Sequence, residues 1–180
     1  MYAPYDVMPA MEAGSYDRPP ETASWRRIAG ACYGALMSDA VTRLADRLAI
    51  DDQLTRYCRA IDSGDWDLLD GVFTPDAVLD YTSSGGIRGV YPDVKAWLAQ
   101  VLPLFPIRQH YVTNREVEFA GDTAKSQAYL YNPMGRRRED GGADLFFTGG
   151  IYRDRWRRTA DGWRIAERIE TELWRDVRVR

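Results

Sequence analysis

One histidine and two cysteines are the entire supply of imidazole and thiol in this chain of 180 residues. The cysteines, Cys32 and Cys58, have neither a second pair nor metal-ligand spacing. That excludes a disulfide framework and a zinc site of the usual kind, and it fits a reducing cytosol. A metal site built on a single His would need several carboxylates at matching spacing, and none have it; the sequence implies no metal and no cofactor. No apolar run approaches the roughly 20 residues of a membrane span. The first twenty residues lack a basic flank followed by an apolar block, so they do not read as a signal peptide. Excess positive charge is also missing: the net charge is −3, which offers no global attraction to nucleic acid or anionic membrane. The basic cluster "GRRRED" at 135–140 runs at once into acids and glycines and reads as a solvated loop. The glycine pairs at 141–142 and 149–150 lack the lysine or helix of a phosphate loop. Ser83 and Ser84 do not sit in a nucleophile elbow.

What the chain has is apolar and aromatic mass. It is 45% hydrophobic, with six Trp and eleven Tyr, enough for one core. Residues 1–38 hold scattered prolines and glycines without sustained periodicity and read as a disordered or partly helical tail, with a short helix over "ASWRRIAGACYGALM". Met37, followed by "SDAVTRLADRLAI", reads as a natural start, and N-terminal sequencing of native protein is expected to begin there. The domain is placed at 39–180.

Ser38 or Asp39 is a candidate cap for a first helix whose apolar face is read as Leu44, Ala45, Leu48, Ile50, Leu54, Cys58 and Ile61. Gly64 ends it. A second short helix follows, capped by Asp65, with Trp66, Leu69 and Phe73 inward. A third spans "YPDVKAWLAQVL", with Pro92 in its first turn and Pro103 and Pro106 beyond its end. The rest reads as sheet: 78–81, 109–119, a tight turn at "AGDT", a return over 123–132, a long loop at "GRRREDGGAD", a strand over 145–158 bulged at its glycine pair, and a last strand over 163–175. Helices first and long antiparallel strands last make the class α+β: three N-terminal helices against a curved, cone-shaped sheet.

The single imidazole, His110 in "QHYVTN", opens a strand. Imidazole titrates near neutrality, so it can take a proton and return it within one turnover. It does so best when a carboxylate fixes its tautomer. Asp62, at the end of the first helix, can reach over a sheet rim to it. Alternation puts His110, Val112 and Asn114 on one face.

The stretches "RYCRAIDSGDWDLLDGVFTPDAVLDY", "QHYVTN", "GDTAKSQAYLYNP" and "GWRIAERIE" resemble the SnoaL-like branch of the nuclear transport factor 2-like (cystatin-like) superfamily, which includes scytalone dehydratase and bile-acid dehydratases. The resemblance covers about residues 40–176. It implies that Asp62 is the acid paired with His110, that Tyr81 polarises a substrate carbonyl, and that Tyr57 corresponds to a tyrosine five residues before the aspartate. Scytalone dehydratase has a second histidine near the positions of Asn132 to Met134; this chain has none, and Asn132 is the candidate hydrogen-bond donor there. The expected function is therefore a cofactor-free dehydratase or isomerase acting on a hydrophobic, polycyclic carbonyl or hydroxy compound. The expected site is His110, Asp62, Tyr81, Tyr57 and Asn132. No nucleic acid or membrane partner is expected, and a homo-oligomer, dimer or trimer, is. Two other classes stay open: a non-catalytic small subunit of a ring-hydroxylating dioxygenase-like complex, and a small-molecule binding module.

Overall fold

The computed structural model describes the backbone of residues 23–178 and the side chains of residues 37–178. Of the tail expected over 1–38, residues 1–22 lie outside the described residues. The chain divides after Ala40, and the second unit, Val41–Arg180, carries the sheet and everything below.

Helix α1 runs Ala23–Ser63 without interruption, so Ser38 and Asp39 lie inside it rather than capping its start. Its inward stripe is Ile50, Leu54, Tyr57 and Ile61, at steps of four, three and four. The face expected from sequence was phased differently: Leu44 and Leu48 are exposed, as is Ala45. The buried tyrosine sets the phase, because its ring joins the core more completely than Cys58 does. Gly64, at φ 73°, ends the helix in the left-handed region where glycine carries no Cβ penalty. Asp65 then accepts a hydrogen bond from the Leu68 amide and caps a short 3₁₀ turn, Asp67–Gly71, which replaces the expected second helix. Helix α2 is Tyr91–Val101, with Pro92 in its first turn and a 3₁₀ turn at Leu102–Leu104.

The strands are β1 (Phe73–Asp80), β2 (Arg88–Val90), β3 (Ile107–Arg108), β4 (Tyr111–Ala120), β5 (Thr123–Arg137), β6 (Ala143–Thr159) and β7 (Gly162–Arg178). They form one sheet of order β2-β1-β7-β6-β5-β3, with β4 also on β5. Every pairing is antiparallel except β1 with β7. The result is a curved, unclosed mixed sheet with helices on its inner face, an α+β cone. The long loop expected at 135–144 is instead a hairpin, because β5 continues to Arg137 and β6 resumes at Ala143. The bulge expected at Gly149–Gly150 is present: the register with β7 shifts there, and the Trp174 indole occupies the space a Cβ on Gly149 would need.

Strict alternation decides which side chains look inward. On β5, Ala124, Ser126, Ala128, Leu130 and Asn132 are buried, while the residues between them are exposed. On β6, Tyr152, Asp154 and Trp156 turn in and Arg153, Arg155 and Arg157 turn out. The inner face meets α1 and α2 in one core holding Leu54, Leu79, Val94, Leu98, Leu130 and Trp156. Each such side chain contributes about 1.5–3 kcal/mol on burial.

One charged pair lies inside this core. Arg168 on β7 and Asp154 on β6 make two 2.7 Å hydrogen bonds, and their side chains are 0% and 1% exposed. Burial works against the Arg168 charge, but the Asp154 carboxylate prevails and holds it protonated. The guanidinium lies over the rings of Tyr57 and Tyr152, at 4.2 and 4.1 Å.

Candidate active site

The site begins where α1 stops. The last carbonyls of a helix have no partner within it. Here Arg108 supplies them: Nε donates to the Ile61 carbonyl at 3.1 Å and Nη2 to the Asp62 carbonyl at 3.2 Å. Its Nη1 also donates to the carbonyls of Leu102 and Phe105. One guanidinium thus ties the end of α1, the turn after α2 and β3 together, and fixes the chain on which His110 follows two residues later. The sequence reading did not single out Arg108; a basic side chain that must reach a helix C-terminus 46 residues away leaves no local pattern.

Asp62 then grips His110 twice. Its Oδ2 accepts from the His110 backbone N–H at 3.0 Å, and its Oδ1 lies 2.6 Å from Nδ1 of the ring. Burial opposes ionisation of Asp62, yet the ring and backbone hydrogen bonds from His110 outweigh it and hold the carboxyl below its ordinary value. The lowered value means that this pairing stabilises the fold above the ordinary carboxylate range. The contribution fades as the pH falls through the still lower folded-state value. Acid unfolding monitored by circular dichroism should therefore begin below about pH 4, the unperturbed aspartate range, and start at higher pH in Asp62→Asn.

With Nδ1 engaged, Nε2 is the ring nitrogen left for proton exchange, and His110 lines a cavity of about 240 Å³. The His110 side chain is only 5% exposed. Asp62 does not line the cavity; it holds the imidazole from the side. Tyr57, five residues earlier on α1, does line it, and its ring meets the His110 ring edge-on at 6.2 Å. The offset of about 140° between these positions on a helix is thus accommodated by sending Tyr57 inward and Asp62 around the helix end. His110 precedes β4 rather than lying in it. Asn114, expected on its face, is exposed at φ 52°, where the register with β5 shifts.

Three phenols converge beside the imidazole. The Tyr57 hydroxyl lies 3.3 Å from that of Tyr81 and 3.3 Å from that of Tyr152. Burial pushes all three above the usual phenol range, so they remain neutral donors at any physiological pH. Tyr152 was missed in the sequence, where "YRDRWRR" reads only as an alternating sheet face. Asn132 also lines the cavity. Its Nδ2 donates to Met134 Sδ at 3.0 Å, while its buried Oδ1 has no partner among the described residues. The amide therefore offers an acceptor in Oδ1 and, on Nδ2, a second N–H. The rest of the wall is mainly apolar, with Ile61, Trp97, Leu98, Phe105 and Phe146. Trp156 and Trp163 are core, and Phe147 stacks on Tyr131 of the other sheet face.

Gly86 sets the position of Tyr81. A Cβ there would stand 2.9 Å from the Tyr81 carbonyl oxygen and 3.0 Å from the Trp97 ring. Gly86→Ala should therefore move Tyr81 and Trp97 and destabilise by about 1–3 kcal/mol, as overpacking does; urea titration measures the loss.

Among the described residues, no group of three or more His, Cys, Asp or Glu is placed to hold a metal ion, and no helix is long and apolar enough to cross a membrane.

A curved α+β sheet thus brings a carboxylate–imidazole pair to the side of a mainly apolar cavity. The chain belongs to the SnoaL-like family, whose model, described as a SnoaL-like domain, matches residues 42–169. It is 45% identical over 141 residues to the uncharacterized protein Rv2910c of Mycobacterium tuberculosis, covering 77% of this chain and 92% of that one. It is 26% identical over 137 residues to the Gibberella zeae protein named Probable cyclase FGR4, covering 70% and 91%. The crystal structure of Kfla4162 from Kribbella flavida superposes with a TM-score of 0.69 at 25% identity, covering 74% of this chain and 95% of that one.

Proposed function

We propose that the chain is a cofactor-free lyase that removes water beta to a carbonyl in a compact cyclic substrate. The observation that carries this reading is the 2.6 Å contact between His110 Nδ1 and Asp62 Oδ1, with the same imidazole lining the cavity. Asp62 holds the tautomer that presents a basic Nε2 and stabilises the imidazolium formed when Nε2 takes the proton alpha to the carbonyl. The carbonyl oxygen gains negative charge in that step. Tyr81, Tyr57 and Tyr152 are neutral phenols placed to donate to it in a water-poor site. A cavity of about 240 Å³ lies just below the range of about 300–1,000 Å³ for drug-sized ligands, which favours one or two fused rings over a four-ring frame.

The test is incubation in D₂O with a panel of one- and two-ring β-hydroxy ketones. Proton NMR follows exchange of the α-hydrogen, and absorbance follows the conjugated product. Binding without exchange or elimination across the panel would replace this reading with that of a binding module. The isomerase alternative separates on Asp62. For a positioning carboxylate, Asp62→Asn costs about 10- to 150-fold, one charged hydrogen bond, and less than loss of His110. Were Asp62 itself the base, the two losses would be equal.

Assembly is part of the same reading. Tyr111, Tyr131 and Trp174 form an exposed aromatic cluster on the outer sheet face, which suits contact with a second copy of the chain; sedimentation equilibrium measures the association.

A further inference from the structure

The proton ledger of a dehydration has two sides, and His110 answers only one of them. A hydroxide ion is a poor leaving group, so the departing oxygen needs a proton as its bond to carbon breaks. The cavity wall holds two more ionisable side chains: Arg175, which pairs with Glu172, and a glutamate that has no part in the scheme above. Glu170 on β7 lines the cavity and is 8% exposed. In the sheet it stands opposite Tyr152 of the phenol cluster. A buried glutamate is ordinarily neutralised by a cation, yet the nearby cations are committed elsewhere. Arg168 donates from Nε and Nη2 to Asp154, while its buried Nη1 has no hydrogen-bond partner among the described residues. Arg175 is bound to Glu172 and to the Ser84 carbonyl. The Ser84 hydroxyl, which donates to the Tyr81 carbonyl, lies beside Glu170.

Resting on the dehydratase reading, we propose that Glu170 is the general acid that protonates the leaving oxygen. His110 Nε2 takes the α-proton, the C–H electron pair becomes the new C=C bond, and the C–O bond at the β-carbon breaks with its pair going to oxygen. The carboxyl proton of Glu170 joins that oxygen, and water departs. Imidazolium and carboxylate are left, and transfer of one proton between them, through solvent, restores both. No oxidant or reductant enters.

The electrostatics favour an acid form at neutral pH. Burial drives Glu170 up to about 7, against the nearby Ser84 hydroxyl and the attraction of Arg168. Around it, Glu172 opposes ionisation and Arg175 favours it from β7, while Tyr57, Tyr81 and Tyr152 face it as neutral phenols from α1, the end of β1 and β6. A carboxyl near the working pH suits proton donation best.

The experiment compares Glu170→Gln with wild type on paired one-ring substrates, a β-hydroxy ketone and its β-chloro analogue. Chloride leaves without a proton. Glu170→Gln should slow water elimination by about 10²–10⁴-fold. It should leave chloride elimination and α-hydrogen exchange in D₂O within a few-fold of wild type. Wild-type water elimination should fall as pH rises past about 7, while chloride elimination does not. Equal loss on both substrates assigns Glu170 a structural part, and no loss on either assigns it none; both overturn the proposal. If wild type neither exchanges nor eliminates, the dehydratase reading itself is lost, and Glu170 with it.

Discussion

Replacing His110 with Gln should lower α-hydrogen exchange and elimination by about 10²–10⁴-fold while leaving the melting temperature close to that of wild type. Glutamine keeps an N–H that can donate to Asp62 and a backbone amide for the second bond, so the end of α1 stays tied to the segment before β4. What it lacks is a nitrogen that accepts and returns a proton. The variant therefore separates chemistry from architecture in a way that alanine, which would also leave Asp62 without its ring partner, does not. Exchange in D₂O reads the base directly, and a thermal melt reads the fold. A variant that folds and exchanges at the wild-type rate would remove His110 from the reaction, and with it the functional reading.

Arg168→Leu should be the most destabilising single substitution in the sheet. It removes the cationic partner of a carboxylate that is 1% exposed. A buried charge left unpaired in this way costs about 3–5 kcal/mol. For a domain of this size that corresponds to a fall of roughly 10–20 °C in melting temperature. Replacing Asp154 as well should recover most of the loss, since an apolar pair of similar volume is often as stable as the ion pair it replaces. Denaturant titration of both single variants and the double variant measures the coupling. A single-variant loss below about 1 kcal/mol would show that water reaches the pair. The double variant carries a second lesson. The Arg168 guanidinium lies against the Tyr57 and Tyr152 rings and favours the ionised phenols. Without it those hydroxyls become weaker donors, so a stable double variant should still lose turnover.

These two residues also mark where a linear reading stops. His110 was legible because it is unique, and Asp62 because it stands at a helix end beside a glycine stop. Tyr57 was visible by spacing but looked badly placed on an ideal helix; the helix terminus resolves this by letting the carboxylate turn the corner. Asn132 was found by position, and only the tertiary structure shows that Met134 takes one of its two N–H groups. Arg108, Tyr152 and Glu170 carried no signal of their own. Each sits in a pattern that reads equally well as surface charge or sheet alternation, and each becomes distinctive only through a distant partner: Ile61 for Arg108, Tyr57 for Tyr152 and Tyr152 for Glu170.

Local sequence by itself determined the class, the order of elements, the turns and the candidate proton carrier, because periodicity, glycine conformation and residue chemistry act over a few neighbours. The tertiary structure alone decided which face of α1 is buried, that three phenols share one point, and that a carboxyl without a cation looks into the same hollow. Those outcomes depend on strand register and on how helices seat against the sheet, and a shift of one residue in register would have sent Tyr152 and Glu170 to the opposite face.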